Sequence, residues 1–140
     1  MFRTIVVTTD FSANSAVAVA PAVEIARQFG ARIVLLHALE GASPDPEVVA
    51  LELAGMAAMA KEQLQEFGAR EIGGRAPWEA EVVFGPAYVA VTDAAVRRHA
   101  DLIVVATHGR TGLKHLLLGS VAERIARTAT CPVLTVRGSD

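Results

Sequence analysis

Between residues 106 and 120 the chain reads ATHGRTGLKHLLLGS, with glycines at 109, 112 and 119, cations at Arg110 and Lys114, and imidazoles at His108 and His115. Glycine lets a backbone turn sharply or approach a ligand closely. Gly119-Ser120 opens SVAERIART, which reads as a helix, and the first N–H groups of a helix have no partner within it. Glycines, cations and a helix N-terminus together describe a cradle for an anion such as phosphate. Two plainer readings fit the same residues: a simple connection, and a capping box in which Ser120 and Glu123 form S-x-x-E.

Other groups that could do chemistry stand singly. Asp10 ends the first apolar run, TIVVTTD, where a carboxylate could act as a general base or a metal ligand. Phosphoryl transfer normally uses a Walker lysine with Ser/Thr, or an acidic metal-binding set with a group that orients the nucleophile. The chain has no G-x4-G-K-[ST], so efficient hydrolysis is not expected. His37 reads as a residue at a strand end or site rim, and His99 as a cation at a helix end. No Cys or carboxylate completes a zinc spacing with His108 and His115. Met56 and Met59 lie at helical spacing and read as core packing. Cys131 is the only cysteine, which suits a reducing, cytoplasmic setting.

These residues need elements to hold them. TIVVTT, RIVLLHA, EAEVVF, DLIVVAT and PVLTV are short runs rich in Val, Ile and Leu without strict alternation, as expected of strands buried on both faces. Between them lie helical segments. SANSAVAVAPAVEIARQFGA has Ser12 as N-cap and Gly30 as stop, with a kink expected at Pro21. DPEVVALELAGMAAMAKEQLQEFGA starts acidic and is expected to end at Gly68; PAYVAVTDAAVRRH starts at Pro86; SVAERIART is the last helix. Gly41 to Pro46 and Gly68 to Pro77 read as loops, the second long enough to be mobile.

The β-α-β-α-β-α-β-α-β order predicts an α/β fold with an open five-stranded parallel sheet, helices on both faces and right-handed crossovers. Ligands of such sheets bind beyond the carboxyl ends of the strands, where strand order reverses. Thr8, Thr9 and Asp10, then His37 and Ala38, then Ala106 to Gly109 occupy those ends. A receiver domain shares this order of elements, but it wants an aspartate after the third strand and a lysine after the fifth, where this chain has Phe84-Gly85 and Arg137. The last strand, CPVLTV, reads as a sheet edge open to pairing with another chain, the alternative being a short edge protected by Pro132 and Arg137.

A length of 140 residues fits one domain, taken as residues 1–140. The formal charge of −2, without a basic run, argues against a nucleic-acid partner. No uncharged stretch approaches the roughly 18 apolar residues that span a membrane, and Asp10 interrupts the N-terminal apolar region before it reaches signal-peptide length. A soluble, cytoplasmic protein is expected.

The chain resembles the nucleotide-binding universal stress proteins, whose motif G-x2-G-x9-G-[S/T] follows the fourth strand. Here it stands as Ala106-x2-Gly109-x9-Gly119-Ser120. IVVTTDFS, VLLHALE, GPA, DLIVVATHGRTGLKHLLLGSVAERI and CPVLTVR carry the likeness along nearly the whole chain. The resemblance implies a Rossmann-like sheet in the order 3-2-1-4-5. It implies ATP as ligand, with or without magnesium, with Thr8, Thr9, Asp10 and Ala38 against adenine and ribose. Ala106, His108, Gly109 and Arg110 would line ribose and phosphates, and Gly119, Ser120, Val121 and Ala122 would hold the phosphates. It further implies a homodimer through Pro132 to Val136 and a stress-response or regulatory role. The chain departs from the motif at Ala106, where binding members usually carry glycine. Alanine is strained there only if the backbone has positive φ; in extended backbone, its methyl could still crowd a ribose that it faces. The alternatives are a dimeric stress-response scaffold that has lost nucleotide binding and a slow ATPase.

Overall fold

The computed structural model describes residues 1–41, 43–108 and 118–138. Its elements run β1 (Thr4–Thr8), α1 (Ala13–Ala16), α2 (Val19–Phe29), β2 (Arg32–Leu39), α3 (Pro46–Glu71), β3 (Trp78–Phe84), α4 (Ala87–Arg97), β4 (Leu102–Ala106), α5 (Ser120–Thr128) and β5 (Val133–Val136). The strands form one parallel sheet in the order β3-β2-β1-β4-β5. From β1 the chain winds outward through β2 to β3, then returns to β4 on the other side of β1 and ends at β5. Strand order therefore reverses between β1 and β4.

Two apolar layers hold the sheet between helices. Ile5, Val7, Ile33, Leu35 and Val104 pack with Val19, Ala22, Val23 and Ala26 of α2 and with Leu64 and Phe67 of α3. Val6, Val34, Leu36, Ile103 and Val105 pack on the opposite face with Val91 and Ala94 of α4 and Ile125 of α5. Successive strand residues point to opposite faces, so continuous apolar runs supply both layers. At the amino ends of the strands, Asp101 ties β4 to β1 by accepting the N–H groups of Arg3 and Thr4 at 2.8 and 3.0 Å. These two hydrogen bonds hold its carboxyl below the usual carboxylate range. Cys131 is partly buried, and burial, reinforced by Asp101, pushes its thiol pKa up.

Several expectations change. Pro21 does not kink one long helix; the break precedes it, at Val17 and Ala18, which leaves Pro21 in the first turn of α2. The missing N–H costs nothing there, because first-turn donors have no intrahelical partner. Gly68 does not stop α3, which continues to Glu71. That glycine is buried where the Trp78 ring lies against the helix, leaving no room for a side chain. The long loop contracts to residues 72–77 and is tied down: Ile72 and Gly73 donate to the Gly68 carbonyl, and Trp78 Nε1 donates to the Gly73 carbonyl at 3.1 Å.

Met56 and Met59 are not in the core; Met59 is 69% exposed. The 26 residues of α3 make a helix about 39 Å long, whereas the 7 residues of β3 span only about 23 Å. The N-terminal turns of α3 thus project past the sheet, and its burial begins at Ala60.

The two edge strands differ. In β3 the backbone of Ala80 faces away from β2, and Lys61 of α3 donates to its carbonyl at 3.2 Å, a lysine guarding an edge. In β5, Pro132 and Val136 bond to β4 through their carbonyls. By alternation, the backbone groups of Val133 and Thr135 point outward.

Candidate functional site

A cleft of about 280 Å³ opens at the carboxyl ends of β1, β2 and β4, at the point where strand order reverses. Thr8, Thr9 and Asp10 line it from the end of β1, Ala38 from β2, Ala106 and His108 from β4 and beyond, and Gly119, Ser120, Val121 and Ala122 from the start of α5. All of these were singled out in the sequence. Gly109 and Arg110, the remaining two, lie outside the described residues, as do Gly112, Lys114 and His115. Ser15, His37, Ala87, Val105 and Thr107 also line the cleft. His37 and Thr107 were placed at strand ends from the sequence; Ser15 could have been found from its type, since a polar residue one turn into the first helix faces the same rim.

The β1–α1 turn is held by its own side chains. Thr9 Oγ1 and Ser15 Oγ, both on buried residues, lie 2.8 Å apart, and Thr9 Oγ1 accepts the N–H of Phe11 at 3.0 Å. Asp10 Oδ1 accepts from the Ser12 N–H at 2.9 Å and from the Ser12 hydroxyl at 2.5 Å. Ser12 in turn caps α1 by accepting the Ser15 N–H. Phe11 has φ +70°, a conformation unusual for a side chain of its size. Its ring stacks on His37 with centroids 4.2 Å apart and meets Phe67 of α3 edge-on. His37 Nδ1 lies 2.8 Å from the Thr9 carbonyl. The strained turn is thus fastened from both sides, and Asp10 has no freedom to swing as a flexible carboxylate would.

At the other end of the cleft, α5 begins without a side-chain cap. Its N-cap is Gly119 and Ser120 is the first helical residue. The capping box does not form: Glu123 instead pairs with Arg127 at 2.5 Å. The N–H groups of Ser120, Val121 and Ala122 therefore have no intrahelical partner and open onto the cleft, at the positive end of the helix dipole. Gly119 donates to the Thr107 carbonyl at 2.5 Å, and a Cβ on Gly119 would stand 2.9 Å from that oxygen. Close approach of α5 to the end of β4, not an unusual φ, requires glycine here. Beside it, Thr107 Oγ1 and His108 Nδ1 lie 3.2 Å apart.

Ala106 is ordinary extended backbone. Among the described residues, Phe11 and His99 are the non-glycine residues with positive φ, so alanine at 106 carries no strain. It is 6% exposed and clusters with the buried residues of the α2 layer. Among the described residues no three His, Cys, Asp or Glu side chains gather as a metal site, and no helix is long and apolar enough to cross a membrane.

Chemically, the cleft joins a polar turn at the ends of β1 and β2 to amide donors of α5 that have no intrahelical partner, an arrangement suited to a molecule with a hydrogen-bonding body and an anionic end. Comparison with known proteins agrees with this architecture. The model of the universal stress protein family matches residues 1–137. A universal stress protein of Methanocaldococcus jannaschii is 35% identical over 147 residues, covering 98% of this chain and 83% of that protein. Among solved structures, the universal stress protein UspA from Lactobacillus plantarum matches with a TM-score of 0.83 at 25% identity, covering 97% of this chain and 98% of that one. A universal stress protein in complex with cAMP matches with a TM-score of 0.70 at 28% identity, covering 99% of this chain and 98% of that one. With the family model matched over residues 1–137 and 98% of its length aligned with a relative 35% identical, the chain belongs to the universal stress protein family.

Proposed function

We propose that the cleft binds an adenine nucleotide, ATP being the ligand the glycine motif implies. In this reading the phosphates meet the N–H groups of Ser120, Val121 and Ala122, while base and ribose lie toward Thr8, Thr9, Asp10 and Ala38. Ala106, His108, Gly109, Arg110 and Gly119 flank the path between them. The observation that carries the proposal is the opening of an uncapped helix N-terminus onto a cleft at the strand-order reversal. The cAMP complex of a relative 28% identical to this chain supports an adenine nucleotide as the ligand class. Ala106 adds no backbone strain; it lines the cleft, so a methyl facing the ribose is the remaining way it could weaken binding. Magnesium, when ATP brings it, arrives on the phosphates. The protein then acts as a single cytoplasmic domain that responds to nucleotide by binding, in a stress-response or regulatory role.

Thermal melts with AMP, ADP, ATP and cAMP test this. A ligand at about 100 times its Kd adds about 2.7 kcal/mol to stability, and no shift with any of the four rejects the proposal. Phosphate release from ATP that exceeds that of an Asp10→Ala, Ser120→Ala control would replace simple binding with turnover.

We also propose a homodimer through the C-terminal strand, Pro132 to Val136. β5 is a sheet edge whose Val133 and Thr135 backbone groups point outward, and Leu134 is 36% exposed. Antiparallel pairing of two such strands about a two-fold axis at Leu134 would set Val133 of each copy against Thr135 of the other, an isologous contact.

A further inference from the structure

We propose that His37 is a specificity-determining residue of the cleft: its Nε2 acts as a hydrogen-bond acceptor that selects a nucleoside phosphate carrying an N–H or O–H donor at that point. The inference rests on the nucleotide reading above and adds to it which protein atom reads the nucleoside.

His37 Nδ1 lies 2.8 Å from the Thr9 carbonyl oxygen. A carbonyl only accepts, so Nδ1 must carry the hydrogen, and in the neutral ring Nε2 then carries a lone pair and no hydrogen. A ring turned by half a revolution would set Cδ2–H against Thr9 and forfeit the bond. Stacking on Phe11 holds the ring plane, and Phe11 is itself packed against Phe67.

The hydrogen bond of His37 is made at Nδ1, and among the described residues no buried side-chain nitrogen or oxygen lacks a partner. Nε2 therefore lies at accessible surface, and His37 lines the cleft. It sits on β2, across β1 from β4 and α5. His37 and the first residues of α5 line the same cleft from different elements of the fold. A nucleotide with its phosphates on α5 extends its nucleoside toward His37. The donor Nε2 can accept from is then the exocyclic amine of the base or a ribose hydroxyl.

The test pairs a protein atom with a ligand atom. His37→Asn keeps an amide donor close to the position of Nδ1, able to hold Thr9, and deletes the acceptor at Nε2. Binding of AMP is compared with that of purine riboside 5′-monophosphate, which lacks the amine, and of the 2′-deoxy and 3′-deoxy analogues, each lacking one hydroxyl. In the wild-type protein one of the three should bind about 3- to 10-fold more weakly than AMP, which identifies the donor. In His37→Asn, AMP should weaken by a similar factor and that analogue should no longer be distinguished from it. Nitrogen-15 NMR of the wild-type imidazole should show the Nδ1–H tautomer, a readout that needs neither the variant nor a ligand. Unchanged discrimination in a folded His37→Asn protein, or an Nε2–H tautomer in the wild type, overturns the inference and leaves nucleotide binding standing. Failure of the wild-type protein to bind any of these nucleotides overturns both.

Discussion

Gly119 and Thr107 are joined so closely that one atom serves both contact and constraint: the Thr107 carbonyl accepts the Gly119 N–H at 2.5 Å, and the same oxygen would lie 2.9 Å from any Cβ placed on Gly119. The start of α5 is thereby pressed onto the end of β4. Gly119→Ala should push the two apart, since the opposing atom is backbone and cannot rotate away. We expect a stability loss of about 1–3 kcal/mol by denaturant titration. The nucleotide-dependent rise in Tm should also fall, because the N–H groups of Ser120 to Ala122 move with the helix. A variant as stable as wild type with an unchanged shift would show that this contact does not set the site.

The proposed dimer can be separated from the fold by one backbone hydrogen. The N–H of Thr135 points away from β4, so Thr135→Pro removes an outward donor and leaves the β4–β5 ladder in place. Sedimentation should then show a monomer whose melting curve remains cooperative. Persistence of a dimer in this variant would place the contact elsewhere.

Stability should fall on acidification through Asp101. Its folded pKa lies below the usual carboxylate value because it accepts the N–H groups of Arg3 and Thr4, with smaller help from neighbouring positive charge. A depressed carboxylate pKa contributes stability above the unfolded pKa, near 4, and loses it as pH falls through the folded pKa. Asp101→Ala should therefore be less stable than wild type at neutral pH, and the two should converge as pH drops below about 4. A difference that stays constant across that range would show that the carboxylate charge is not the cause.

Gly68 and Trp78 offer a test of packing remote from the cleft. A methyl at Gly68 would enter the space of the Trp78 ring, and that ring also bonds the Gly73 carbonyl. Gly68→Ala would ordinarily help a helix by about 1 kcal/mol; here overpacking should reverse the sign, with a net loss of about 1–2 kcal/mol by chemical denaturation. Stabilisation instead would mean that Trp78 moves aside at no cost.

Where the sequence misled, the cause was a long-range contact. Gly68 carries the local signature of a helix stop, yet its lack of a side chain serves Trp78, ten residues along and on another element. Met56 and Met59 have helical spacing, which says that they share a helix and not which face the core takes. Ser120 and Glu123 have capping-box spacing, but a cap also depends on how the chain enters the helix, and Gly119 is held by Thr107 in the N-cap position instead. His37 was legible as a strand-end residue; its tautomer was not, because the Thr9 carbonyl that decides it arrives from β1.

Read alone, the sequence determined the alternation of strands and helical segments, because apolar runs, Ser12 and Gly30 act over a few residues. From that alternation and the glycine motif it also determined which residues to examine at the strand ends. Only the tertiary structure decided that they surround one cleft, that Ala106 is unstrained, that Gly119 is needed for close approach, and that His37 presents a lone pair. Each of these depends on atoms brought together from distant parts of the chain, and local propensity carries no information about such distances.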